Sequence, residues 1–273
     1  MEQAQGLRFK WTEMTPYRIA EAALRRARDV PHRAAWHLPE GIENRIKLER
    51  FRSKHKGQRC IVIANGPSLA TMDLSPLKNE ITIGLNRCYL MFDKWGFEPT
   101  YFVSINGLVL EQFASDIRQL SMPLFLNWNR RALFQPSRAD TLFLRMRLTV
   151  ADEFTGELTR PICDGGTVTY AALQLAYYLG CTEVVLVGLD HSFVEKGRPN
   201  KTEVRHYEVD ASHCHPDYFP KGVKWQLPDL QRSEIAYATA RRAFEQAGRR
   251  IVDATPGGKC PVFERAEFGE LFR

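Results

Sequence analysis

The hydrophobic positions of this chain fall into two patterns, short unbroken apolar runs and stripes at helical spacing. From Gly57 onward the runs Cys60–Ala64, Ile81–Leu85, Tyr101–Ile105 and Leu124–Asn127 are bracketed by polar turns, and Val184–Leu189 repeats the pattern further on. Unbroken apolar runs of this length are what a strand buried on both faces requires. Between them the period changes. Thr167–Leu179 is apolar at Val168, Ala171, Ala172, Leu175 and Leu179 and stops at Gly180. Ser233–Ala247 forms a second helical stretch ending at Gly248, and Ile251-Val252 opens a last strand. Strands alternating with helices predict an α/β chain, a doubly wound, mainly parallel Rossmann-like sheet with helices on both faces.

Ahead of that pattern lies a different segment. Thr15-Pro16 can start a helix, and Ala20, Ala23, Leu24, Ala27 and Val30 recur at helical spacing, with Arg18, Arg25, Arg26 and Arg28 mostly elsewhere. The expected organisation is therefore a basic helical arm over 1–56 and a nucleotide-binding domain over 57–273, the latter interrupted by a lid-like insertion at 191–229. A length of 273 residues and 44% hydrophobic content suit one large domain with decorations.

Charge separates the two parts. Residues 1–56 hold 13 Lys and Arg against 7 Asp and Glu, whereas residues 57–273 balance at 25 of each, so the net +6 belongs to the arm. Two readings of the arm follow: a surface helix packed on the body, or a basic amphipathic segment resting on an anionic membrane surface with help from Phe9 and Trp11. No nucleic-acid module supports a nucleic-acid partner. No run approaches eighteen apolar residues and no apolar signal segment opens the chain, so the expected location is cytoplasmic, with peripheral membrane contact if the second reading holds. The six cysteines are scattered without CxxC spacing, which points to small core hydrophobes rather than a disulfide framework or zinc knuckle. Oligomeric state is not legible.

In a doubly wound sheet, ligands bind beyond the carboxyl ends of the strands, so the residues following each apolar run are the ones to collect. They are Asn65-Gly66-Pro67-Ser68, Asn86, Asn106-Gly107, Asp164-Gly165-Gly166-Thr167 and Asp190-His191. Each has a plain structural alternative. Asn-Gly-Pro-Ser is turn vocabulary, Gly165-Gly166-Thr167 serves equally as a helix cap or as a phosphate or carboxylate approach, and Asp190-His191 can cap a loop. Their gathering at one sheet edge is what favours a binding site. Neither a Walker A motif nor GxGxxG is present, which argues against a P-loop enzyme or a standard dinucleotide oxidoreductase.

A second cluster, HYEVDASHCHPDY over 206–218, holds His206, His213, His215, Asp210, Asp217, Tyr207 and Tyr218. Three readings stand: a zinc site, a hydrogen-bonded structural loop, and an active-site lid in which an imidazole takes a proton and a tyrosine donates to a leaving phosphate.

CIVIANGPSL, IGLNRCY, FVSINGL, DGGTVTYAALQLAYYLGCTEVVLVGLD and DASHCHPDY together resemble two related groups over roughly Gly57 to Phe263. One is the family named after archaeal 6-hydroxymethylpterin diphosphokinase, the MptE-like family. The other comprises the bacterial sialyltransferases of glycosyltransferase family 42, which use CMP-sialic acid. The kinase resemblance implies ATP with Mg²⁺, held by strand-end carboxylates. This chain has Asn86 and Asn106 at such positions, which leans toward the sialyltransferases. Their resemblance implies a CMP-type site lined by Asn65, Gly66, Ser68, Asn86 and Asn106, with Gly165, Gly166 and Thr167 near the phosphate or donor carboxylate; Pro67, Asp190 and His191 join the nucleotide-binding candidates by their strand-end positions. It also implies inverting, metal-independent transfer from a nucleotide-sugar donor to a glycan acceptor in surface glycan synthesis, with no cofactor. His213 is the first candidate base and His215 the second; Asp229 stands where the family's histidine would align, and Tyr207 or Tyr218 would assist the departing phosphate. The alternatives are the Mg²⁺-dependent pterin-type kinase and a non-catalytic nucleotide-binding assembly protein.

Overall fold

The computed structural model describes residues 16–149, 152–194, 197, 199–206 and 209–272. Two helices come first, α1 (Pro16–Trp36) and α2 (Pro39–Glu49). The sheet then begins with β1 (Arg59–Ile63), β2 (Thr82–Leu85) and β3 (Tyr101–Ser104), with the short α3 (Phe92–Trp95) before β3. After α4 (Gly107–Gln112) and α5 (Ala114–Arg118) come β4 (Leu124–Asn127) and β5 (Thr141–Leu144). The second half holds α6 (Val168–Tyr178), β6 (Glu183–Val187), a small pair β7 (Thr202–Val204) and β8 (Lys224–Gln226), then α7 (Leu230–Gln246), β9 (Arg250–Asp253), β10 (Glu264–Arg265) and α8 (Phe268–Leu271).

Eight strands form one sheet in the order β10-β9-β6-β1-β2-β3-β4-β5, every pairing parallel. The expected doubly wound, Rossmann-like α/β architecture is present. Cys60 to Ile63 of β1 and Val184 to Val187 of β6 have no solvent exposure, which explains why both read as unbroken apolar runs. Chain order reverses at β1: successive strands step outward to β5 on one side, and the chain then returns to lay β6 on the other. Such a reversal leaves a crevice at the carboxyl ends of the two strands flanking it. Helix α6 crosses behind β1, β2 and β3. Because it is covered nearly all round, its buried residues run almost continuously from Thr169 to Ala176. Helix α7 instead buries one stripe, Ser233, Ala236, Tyr237, Ala240 and Phe244.

Several elements escaped the sequence pattern, among them α2, β5, β10 and the β7–β8 pair. Helix α2 hides because its inward face carries Gly41, Asn44 and Leu48 while Ile42 and Ile46 point outward. Asn44 does the work of a neighbouring strand: its Nδ2 donates to the Phe143 carbonyl and its Oδ1 accepts from the Phe143 N–H, both at 2.8 Å, so the edge strand β5 is locally paired.

The arm also departs from its expected packing. Ala20, Ala23, Leu24, Ala27 and Val30 are exposed, Leu24 at 50% and Val30 at 62%. The helix is held instead by a polar stripe. Trp128 donates to the His32 carbonyl at 2.8 Å, Asn129 donates to Asp29 at 3.0 Å, and Arg145 pairs with Asp29. Trp36 is buried edge-on against Trp128 with ring centres 5.1 Å apart. Thr15, Phe9 and Trp11 lie outside the described residues. All six cysteines are free and buried, as expected for core hydrophobes.

Candidate functional site

A cavity of about 210 Å³ sits over the crevice between β1 and β6, lined by strand ends below and by the 191–229 segment above. Its size is under the roughly 300–1,000 Å³ common for small-molecule sites. The segment above is tied down as a roof: the Cys214 N–H donates to the Asn65 carbonyl at 2.8 Å, and Arg87 donates to the Asp217 carbonyl at 2.7 Å. Gln112 and Lys224 exchange two hydrogen bonds at 2.7 and 2.8 Å, which fixes β8 against α4.

At the floor, the turn after β1 closes on the turn after β6. Asp190 accepts from the Ser68 N–H at 3.0 Å and from the Ser68 hydroxyl at 2.7 Å. Gly66 is required there because a Cβ would fall on the Asp190 carboxylate and the Gly188 carbonyl. Ser68 and Asp190 therefore hold each other, and Pro67 opens the short turn behind them. Asn65 is different. It is 9% exposed, lines the cavity, and its Oδ1 has no hydrogen-bond partner among the described residues. A buried amide oxygen left unpaired costs roughly 1–3 kcal/mol, so such an atom marks where a ligand donor would sit.

The remaining amides are part scaffold, part lining. Asn86 has a left-handed backbone (φ 47°), which asparagine tolerates, and its Oδ1 accepts from the Ser104 hydroxyl at 3.0 Å. Asn106 caps α4, accepting from the Leu108 N–H at 2.9 Å, so its oxygen is committed while the residue still lines the cavity.

The glycine turn departs from its expected role. Gly165 and Gly166 both have positive φ, but their N–H groups already donate to carboxylates, Gly165 to Asp152 at 3.3 Å and Gly166 to Asp164 at 3.0 Å. Arg232 joins the same two acids, at 2.8 Å to Asp152 and 2.6 Å to Asp164. An anion arriving at these amides would meet two carboxylates. Thr167 caps α6 and, with Gly166, borders the cavity; Gly165 does not.

The roof supplies the titratable groups. His213 lines the cavity, and its Nδ1 lies 2.9 and 3.0 Å from the two oxygens of Asp210, whose side chain has no exposure. Burial alone would push the Asp210 carboxyl up. The His213 hydrogen bond and charge, the Ser212 N–H and Arg205 outweigh burial and hold it below the ordinary carboxylate value. The imidazole stacks on Tyr218, ring centres 4.1 Å apart and 4° from parallel, with Phe219 edge-on at 5.2 Å. This fixes the ring, and Nε2 has no partner among the described residues. Burial pushes the Tyr218 phenol well above its ordinary value, an Asn86 hydrogen bond working the other way, so the hydroxyl is neutral. Across the cavity His191, in a left-handed conformation (φ 53°), holds Glu234 through Nε2 at 2.9 Å.

Two sequence candidates fall elsewhere, and a third lies outside the described residues. His215 is outside the cavity, and its Nδ1 accepts from the Asp217 N–H at 3.1 Å. Asp229 caps α7 by accepting from the Arg232 N–H at 3.0 Å, and its other oxygen accepts from Asn200 at 3.2 Å. Tyr207 lies outside the described residues. Among the described residues of this loop the side chains a zinc ion would need do not converge: His213 turns to Asp210, the His215 ring accepts from the Asp217 N–H and Cys214 is buried. Sequence reasoning missed Glu234 and underrated Asp210, although Asp-x-x-His spacing is a signal for the latter.

With strand ends carrying amides and the nearby acids engaged by Ser68, His213 and Arg232, the residues do not fit a carboxylate cage for Mg²⁺. Among the described residues no cluster of three or more His, Cys, Asp or Glu could hold a metal ion. Residues 37–196 match the family model described as 6-hydroxymethylpterin diphosphokinase MptE-like. The chain belongs to the MptE-like family. The family match covers β1 to β6 and the strand-end amides but stops short of Asp210 and His213, so the dyad of this MptE-like protein lies outside it. No curated protein matches the chain. Among solved structures, one described as MAf glycosyltransferase from Magnetospirillum magneticum AMB-1 aligns with a TM-score of 0.48 and 12% identity. That alignment covers 82% of this chain and 38% of the other, so this chain spans well under half of that protein's length. No helix among the described residues is long and apolar enough to cross a membrane.

Proposed function

We propose that this MptE-like protein is a glycosyltransferase that passes a sugar from a nucleotide-activated donor, of the CMP-linked acid type, to an acceptor hydroxyl. The observation that carries the reading is His213: Nδ1 anchored on a buried carboxylate, ring stacked on Tyr218, residue facing the cavity. Anchoring at Nδ1 presents Nε2 as a base, the arrangement general-base catalysis needs. Nε2 takes the acceptor O–H proton, the acceptor oxygen bonds to the anomeric carbon, and the bond from that carbon to the nucleotide phosphate breaks. The nucleotide departs with the electron pair, and attack opposite the leaving group inverts the centre. Asn65 Oδ1 is the acceptor we assign to a donor group on the nucleotide or its sugar. We assign His191, braced by Glu234, to the phosphate side together with Tyr218, which also lines the cavity.

A second reading, Mg²⁺-dependent pyrophosphoryl transfer to a pterin-type alcohol, is favoured by the family description alone. Thermal-shift titration separates the readings. CMP and CDP are expected to raise the melting temperature equally in Mg²⁺ and in EDTA. Stabilisation by ATP only with Mg²⁺, and none by cytidine nucleotides, would overturn the glycosyl-transfer reading in favour of the kinase. No shift with any nucleotide would overturn both transfer readings and leave a non-catalytic assembly protein that binds none of them.

A further inference from the structure

A second and larger cleft, about 810 Å³, opens between α1 and the chain that follows β5. Its charge is lopsided. Arg26, Arg33, Arg145, Arg147 and Arg160 line it against Asp29 and Glu153. Both acids are spoken for: Asp29 pairs with the buried Arg145, and Glu153 pairs with Arg147 at 2.6 Å. Arg26, Arg33 and Arg160 have no ion pair among the described residues, and Arg26 makes only a long bond of 3.4 Å to a carbonyl of its own helix.

Beside those guanidiniums the cleft exposes Val30 and Leu148, and the stripe of α1 that carries Val30 continues beyond the cleft to Ala23 and Ile19. Ile19, Ala23, Arg26, Val30, Arg33 and His37 succeed one another at intervals of four and three residues, a single stripe of a helix. It runs beside the stripe of Asp29, His32 and Trp36 that holds α1 to the body. Ile19 and Val30 are 49% and 62% exposed, and Leu148 on the facing segment is 45% exposed. A free anion would need the arginines but not exposed aliphatic groups alternating with them; an anion carrying a hydrocarbon chain uses both.

We propose that this cleft binds a lipid-borne phosphate, docking the protein on an anionic membrane surface with the phosphate among Arg26, Arg33 and Arg160 and the chain along Ile19 and Val30. The inference is independent of the transfer reaction proposed above. Each basic residue at an anionic surface contributes about 1 kcal/mol, so losing two lowers vesicle partitioning about 30-fold.

The test is co-sedimentation of the full chain with vesicles of phosphatidylcholine alone and of phosphatidylcholine mixed with phosphatidylglycerol. Binding is expected only to the mixed vesicles, with about a 30-fold loss for R26A/R33A. The pair K56A/K78A, two exposed lysines with no ion pair among the described residues, removes the same charge elsewhere and is expected to leave binding near wild type; an equal loss there would reduce the effect to net charge and overturn the site. I19S/V30S removes no charge and is expected to weaken binding at high salt as well as low. Failure to bind mixed vesicles, unchanged binding by R26A/R33A or I19S/V30S, or complete displacement by inorganic phosphate at the headgroup concentration would each overturn the proposal. Because these side chains are exposed, thermal melting of each variant is expected to match wild type, which separates lost docking from lost folding.

Discussion

At the scale of single residues, the site turns on which polar atoms are already satisfied. Ser68, Asp190, Asn106, Asp229 and Thr167 all looked like ligand groups in the sequence, and all hold the backbone or each other. Asn65 Oδ1 and His213 Nε2 are two atoms left without a partner among the described residues. Replacing His213 with alanine is expected to lower turnover by about 10²–10⁴-fold, the usual worth of a positioned base, while the thermal shift with CMP persists. H215A is expected to leave turnover near wild type; a matching loss there would move the base outward. Asp210→Asn is a stability experiment as well. The native carboxyl is depressed below its unfolded value, so its contribution is complete above about pH 4 and is lost as pH falls through the native value. The variant is expected to be less stable by about 1–3 kcal/mol at pH 7 in urea titration, the gap closing in acid. A gap independent of pH would show that the Asp210 charge is not what His213 relies on.

At the scale of elements, helix ends and strand ends account for most of the apparent motif chemistry. Thr167 and Asp229 are the caps of α6 and α7, and an acid ahead of a helix is a capping signal before it is a catalytic one. Asp229→Ala is expected to cost about 1 kcal/mol, read as a lower urea midpoint, with turnover retained at temperatures where the variant is folded. A loss of turnover like that of H213A would return Asp229 to the catalytic role its sequence position suggested. The glycine pair before α6 shows the same limit: Gly165 and Gly166 both have positive φ and offer N–H groups, yet Asp152 and the adjacent Asp164 already accept from them and Arg232 balances the two acids. Nothing near Gly165 in the chain announces Arg232, which is 67 residues away.

At the scale of the whole molecule, the sheet reversal at β1 places the turns of β1 and β6 against each other, and the long segment after β6 crosses back over them. That crossing carries Asp210 and His213 to the amides of the first half. Two arginines of the basic N-terminal region, Arg26 and Arg33, meet Arg145, Arg147 and Arg160 of the body in one cleft beside the edge strand β5, so part of the net charge is gathered at one surface.

The sequence by itself determined the central strands β1 to β4, β6 and β9 and the helices α6 and α7, because burial leaves a hydrophobic pattern that needs no partner to be read. It determined the class of fold and gathered the strand-end polar residues at one edge. Tertiary structure decided what the pattern does not encode. Helix α2 and the apolar face of α1 break the rule that apolar stripes point inward, because Asn44 and Asp29 anchor them by hydrogen bonds and charge instead. Tertiary structure also decided which acids are free and which histidine faces the cavity. Those outcomes depend on pairings between residues far apart in the chain, such as Ser68 with Asp190 and His191 with Glu234, and a hydrogen bond satisfied at long range leaves no local trace in the sequence.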